Sequence, residues 1–130
     1  MPTRLTIATQ RPQQLLDITA QVSQWLTICG KREGILHLFV PHTTAGITLN
    51  ENCDPDVMRD ILTTLEKLIP THGDYRHGEG NSHAHLKSTL TGHQVAIPFA
   101  NGQLLLGRWQ GIYFAEFDGP RQRELILHVV

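Results

Sequence analysis

Long apolar runs are absent from this chain of 130 residues. None approaches the roughly 20 residues needed to cross a bilayer as a helix, so no membrane span is expected. The opening residues, MPTRLTIATQ, hold no apolar signal core, and no export signal is expected either. Cysteine is scarce: only Cys29 and Cys53 occur, at a spacing that fits neither a zinc ribbon nor a redox pair. Both read as reduced thiols of a cytoplasmic protein. Charge of one sign is missing as well. The 11 basic and 12 acidic residues leave a net charge of −1, which gives no footprint for nucleic acid and no polybasic patch for a membrane. There is no GxxxxGK[ST] loop to cradle phosphate, and no repeat or linker divides the sequence.

What is present fits one domain, residues 1–130. A chain of this size buries roughly two-thirds of its unfolded surface and needs neither disulfide nor metal to fold. Arg4–Thr9 alternates as a strand does, and QRPQ reads as a turn. QLLDIT is open to two readings, because Leu15, Ile18, Val22 and Trp25 also fit a helical stripe. Thr19 is a candidate cap for a helix that reaches Cys29 and stops at Gly30. GILHLFV and AGITLN are β-type runs on either side of a short loop with His42 and Thr43. Asp54 suits an N-cap and Pro55 the first helical position, with Val57, Ile61, Leu65 and Leu68 following at helical spacing. THGDYRHGEGNS is a polar loop, and AHLKSTL a short helix closed by Gly92. HQVAIPF and QLLLG flank the hairpin signal Asn101-Gly102. WQGIYFAEF and RELILHVV are expected to pair around DGPR. The pattern is α+β, with several antiparallel strands.

Histidine is the residue in excess: of eight, five lie between His72 and His93. Four clusters could carry chemistry, and each has a plainer reading. His42 is a site residue or a histidine that happens to end a strand. In NENCDPD, the cap explains Asp54, whereas Glu51 is either a solvated carboxylate or a base or metal ligand. In YRHGEGNSHAHLK, His77, Glu79, His83 and His85 bring imidazoles together, and imidazole is the commonest metal ligand. The spacing matches no named zinc signature, and a flexible loop with incidental histidines is the alternative. In GRWQGIYFAEFDGPR, Trp109 reads as packing, DGP as a turn, and Arg121 as a holder of phosphate or carboxylate or as a partner of Asp118.

HTTAGITLNENCDPDVMRD, YRHGEGNSHAHLKS and GRWQGIYFAEFDGPRQR, in this order, resemble the YjbQ family, whose members are also described as secondary thiamine-phosphate synthases. The resemblance runs over nearly the whole chain, most clearly from Gly34 onward. It implies a two-layer antiparallel β-sandwich with two main helices, assembled as a homotrimer, and it makes Gln13–Ile18 the second strand. It also implies one polar pocket near a subunit boundary. In that pocket His42, His77 and His85 would bind a divalent metal, zinc, or magnesium with a pyrophosphate substrate. Glu51, Asp54 and His85 would be catalytic. Thr43, Asn81, Trp109, Gln110 and Arg121 would hold substrate. The implied reaction joins a pyrimidine pyrophosphate to a thiazole phosphate and releases pyrophosphate. The alternative is a trimeric metal- or metabolite-binding protein without turnover. One departure stands out: Arg108 replaces the family's threonine in GTWQ. His83 falls at a position variable in the family and ranks below His85.

Overall fold

The computed structural model describes residues 1–130. In chain order the elements are β1 (Thr3–Ala8), β2 (Gln14–Asp17), α1 (Thr19–Cys29), β3 (Gly34–Phe39), β4 (Ala45–Glu51), α2 (Pro55–Leu68), α3 (Ser82–Thr91), β5 (Gln94–Ala100), β6 (Gln103–Leu104), β7 (Gln110–Glu116) and β8 (Gln122–Val129). The strands form a large sheet in the order β1-β8-β3-β5-β6 and a small sheet in the order β2-β7-β4, and every pairing is antiparallel. Alternate residues of the large sheet point inward, among them Ile7, Leu36, Leu38, Ile97, Leu125 and Leu127. They meet Ile47, Ile112 and Phe114 of the small sheet and Val22 and Leu26 of α1 in one core. On the other face of the small sheet, Ala115 and Phe117 pack with Ala84 of α3, Leu15 and Leu65. The small sheet is therefore covered on both faces. The large sheet is covered on one.

That difference corrects the expected pairing of WQGIYFAEF with RELILHVV. From Gly111 to Glu116 every residue of β7 is buried, because β7 is the middle strand of the doubly covered sheet. β8 alternates, as suits a sheet with one open face. A continuous pattern and an alternating one belong to different sheets, and Phe117–Arg121 carries the chain across between them rather than closing a hairpin.

The short helix expected beside the two main ones is present and longer at its start, running ten residues from Ser82 to Thr91 and ending at Gly92. One expectation about the helices fails. Thr19 does not cap α1. Its hydroxyl bonds Asp17 Oδ1 (2.5 Å) and accepts the Ile112 amide N–H (2.8 Å), while Asp17 Oδ1 also takes the Thr19 N–H (2.9 Å). Asp54 does cap α2, accepting the Asp56 N–H at 2.9 Å with Pro55 at the first helical position. Asn101 and Gly102 both take positive φ, 54° and 71°, as a two-residue hairpin turn demands. The strand beyond them is only Gln103–Leu104. α3 lies close over β4 because position 46 is glycine: a Cβ there would come within 2.6 Å of the Gly92 carbonyl oxygen. This approach sets where the end of α3, just before His93, stands against β4.

Candidate functional site

The motif HTTAGITLNENCDP straddles β4. His42 and Thr43 precede the strand, and Glu51 and Asp54 end or follow it. Seven residues at a rise of about 3.4 Å separate the two groups by roughly 20 Å. Within one chain the polar motifs are thus two clusters, not the single pocket that the resemblance implied.

The first cluster is built on a buried ion pair. Arg123 Nε donates to Glu116 Oε1 at 2.9 Å, and Arg123 Nη2 bonds the other carboxylate oxygen. Nη2 also reaches the Thr44 carbonyl (3.2 Å) and hydroxyl (2.9 Å), and Thr9 donates its hydroxyl to Glu116 Oε1 at 2.7 Å. Burial pushes the Glu116 carboxyl up, but Arg123, the Thr9 hydroxyl and the Asp118 amide outweigh it and hold it below its ordinary value. The network ties Thr44 to β8 and so fixes the loop that carries His42. The His42 ring accepts the Glu124 backbone N–H through Nε2 at 2.9 Å. Burial, aided by Arg123, pulls its pKa below the ordinary histidine value. His42, Thr43, His93, Arg121 and Arg123, with Phe39 at the rim, line a depression of about 530 Å³.

Asp118 joins this depression to the start of α3. Its Oδ2 accepts from Arg121 Nη2 (3.0 Å) and from Asn81 Nδ2 (2.9 Å). Beyond it lie two buried polar atoms without a partner, Asn81 Oδ1 and Ser82 Oγ. Ser82 is only 8% exposed, yet it lines a second depression, of about 420 Å³, with Asp74, Tyr75, His77 and His85. The rings of His77 and His85 meet edge to face, with centroids 5.3 Å apart, and Glu79 lies 3.7 Å from His77 Nε2. Underneath, Lys87 is fully buried and spends its three N–H donors on Gln13 (3.0 Å), Glu66 (2.8 Å) and His83 Nδ1 (2.9 Å). Burial and the Lys87 charge keep the pKa of His83 low.

The three-histidine metal site is not assembled within one chain. His77 and His85 come together, but His42 lines a different depression and its Nε2 is taken by a backbone N–H. A ring nitrogen that accepts a hydrogen bond has no lone pair left for a metal. Nor does any group of three His, Cys, Asp or Glu side chains stand close enough to hold an ion. Zinc with an open position takes three protein ligands, and one chain supplies two.

At the far end of β4, local bonds account for most of the expected site residues. Glu51 Oε2 accepts the Asp54 N–H (3.2 Å), Asp54 caps α2, and Gln110 Oε1 accepts the Gly107 N–H (2.8 Å). Tyr113 donates to the Glu51 carbonyl at 3.0 Å, and burial raises its pKa. The Arg108 guanidinium sits 4.8 Å over the half-exposed Trp109 ring, so the residue that departs from the family's threonine covers the tryptophan face. Asp118 reads as a turn residue or as the partner of Arg121, and the structure contains that pair. Glu116, Arg123, Ser82, Lys87 and His93 were not singled out from sequence. Only the local excess of histidine pointed towards Ser82, Lys87 and His93.

A single domain with a two-sheet α+β fold and a polar surface at one end of its small sheet is the class the architecture defines. The chain matches the UPF0047 protein YjbQ-like family over residues 3–130 and belongs to it. It is 48% identical over 124 residues to a UPF0047 protein of Methanocaldococcus jannaschii, covering 95% of this chain and 90% of that one. It is also 48% identical over 120 residues to UPF0047 protein YugU of Bacillus subtilis, with 92% and 91% covered. Its fold is similar to the crystal structure of an uncharacterised YjbQ/UPF0047 protein from Clostridium acetobutylicum, with a TM-score of 0.95, 50% identity, and 98% and 99% of the two chains covered. A conserved hypothetical protein from Thermus thermophilus gives a TM-score of 0.92 at 45% identity, with 98% and 99% covered.

Proposed function

We propose that this chain is an enzyme acting on a small phosphorylated metabolite at the surface that runs from His42 through Asp118 to Ser82. One observation carries the reading: Ser82, on the wall of an open depression, has a buried Oγ without a hydrogen-bond partner, and so does its neighbour Asn81 at Oδ1. Folded chains satisfy nearly all such atoms, and two orphaned atoms side by side at an open depression support a bound polar ligand there. The cationic and hydroxyl groups of Arg121 and Thr43 suit phosphate oxygens. The condensation of a pyrimidine pyrophosphate with a thiazole phosphate is a reaction of this class, since both reactants carry phosphate.

A homotrimer belongs to the same proposal. The open face of the large sheet shows Ile35 (46% exposed), Phe39 (39%) and Pro98, with Ile35 directly opposite Pro98 in the register. Apolar residues side by side on an uncovered sheet face favour a covering partner. Phe39 stands both on this face and at the rim of the His42 depression. A second copy seated there would wall the depression, and its Glu51 end could complete the site. A divalent metal, zinc or magnesium, would then need a third ligand from that copy beside His77 and His85. No helix is long and apolar enough to cross a membrane, and two exposed free thiols suit a cytoplasmic location.

The test is turnover by the purified protein of paired pyrimidine pyrophosphate and thiazole phosphate, followed by a screen of other phosphorylated metabolites. Product that disappears with Ser82→Ala and Arg121→Ala supports the enzyme. Tight binding of a phosphorylated compound with no product identifies a binding protein instead.

A further inference from the structure

The depression beside β4 contains two histidines whose free ring nitrogens differ in kind. The Glu124 backbone N–H is an obligatory donor, so His42 Nε2, 2.9 Å away, must be bare. In the neutral ring the proton is then on Nδ1. His93 is bonded the other way round. Its Nε2 lies 2.8 Å from Ser88 Oγ, and Ser88 Oγ lies 2.7 Å from the Ala45 carbonyl oxygen. A hydroxyl has one proton, and a carbonyl can only accept. Ser88 therefore donates to Ala45 and accepts from His93, which must carry its proton on Nε2 and leave Nδ1 bare. Neither Nδ1 has a partner in the chain, neither is sealed from solvent, and both rings line the same depression.

We propose that His42 and His93 are held in opposite tautomers and together select a phosphate group that still carries a proton. The inference rests on the phosphate reading above and adds to it a specificity residue, His93. His42 Nδ1–H, Arg121 and the Thr43 hydroxyl donate to the unprotonated oxygens. His93 Nδ1 accepts the remaining P–OH. Hydrogen phosphate and a singly protonated phosphomonoester fit this arrangement. An oxyanion of the same charge and shape without a proton does not, because it sets a lone pair against the His93 lone pair and leaves a polar group of the site unmatched.

Inorganic phosphate and sulfate are the probes. At about pH 8 both are dianions, but only phosphate holds a proton. Titrated against the intact protein by calorimetry, phosphate is expected to bind about tenfold more tightly than sulfate, the scale of one matched polar group. His93→Phe should bring the ratio close to one. Ser88→Ala, which frees the His93 ring without removing it, should narrow the ratio while phosphate still binds. Nitrogen-15 spectra of the histidine rings should show His42 protonated on Nδ1 and His93 on Nε2, and Ser88→Ala should change only His93. Equal affinity of the wild-type protein for the two anions, or a ratio that survives His93→Phe, overturns the selection and spares the phosphate reading. Failure to bind either anion overturns both. A His93 ring protonated on Nδ1 overturns the tautomer assignment whatever the anions do.

Discussion

The ammonium of Lys87, fully buried, lies 2.8 Å from Oε1 of Glu66, a carboxylate whose side chain is 43% exposed. The hydrogen bond from Lys87, reinforced by the Thr71 amide, holds the Glu66 carboxyl far below its ordinary range. A depressed carboxylate stabilises the fold fully above its unfolded pKa, about 4.3, and the contribution is lost as pH falls below that value. Glu66→Gln should flatten this acid limb of the stability profile. It leaves Lys87 without its counter-charge and should cost about 1–3 kcal/mol near neutral pH, less than a fully buried pair because solvent reaches Glu66. Urea unfolding of both proteins between about pH 3 and pH 7 measures both effects.

Asp54→Ala should destabilise the protein by about 1 kcal/mol through loss of the α2 cap. Asp54→Asn keeps a capping oxygen and should leave the unfolding midpoint nearly unchanged. Turnover lost in the asparagine variant at unchanged stability would give the carboxylate a second task. Turnover retained in both variants would confine Asp54 to capping.

Metal content per chain should fall sharply in His77→Ala and in His85→Ala, and stay at the wild-type level in His42→Ala, whose ring is bonded to the Glu124 amide. Elemental analysis beside circular dichroism separates ligand loss from unfolding. Full occupancy in His85→Ala would remove that residue from the pair. Loss of metal in His42→Ala would restore it to the ligand set.

Ile35→Glu should weaken self-association without touching either depression. Light scattering at micromolar concentration is expected to give a trimer for the wild-type protein and smaller species for the variant. A wild-type monomer would rule out a partner copy on the large sheet.

Elements with a local signature were legible in the sequence. Asp54-Pro55 announces α2, Asn101-Gly102 the hairpin and Gly30 the end of α1, because caps and turns are set by neighbouring residues. Strand pairing was not legible. Whether β7 joins β8 or lies between β2 and β4 depends on what covers each face, and no local pattern states that. The site divides in the same way. His42, His77, His85, Asn81 and Arg121 stood out by residue type. Asp118 was legible as a partner of Arg121, but its bond to Asn81 was hidden because position 81 is far away in sequence. His42 was misread as a ligand because the donor that occupies its Nε2 is a backbone amide 82 positions later.

The network of Thr9, Thr44, Glu116 and Arg123 has a bearing on how the chain matures. Its members come from residues next to or within four strands in two sheets, and Arg123 stands in β8, the last strand in chain order. The wall that holds His42 cannot exist until the last strand has been made and has docked. The anion binding proposed above would then require complete closure of the two sheets and report native folding directly, and a chain cut short before β8 would keep much of its apolar sequence but lack the Arg123 wall.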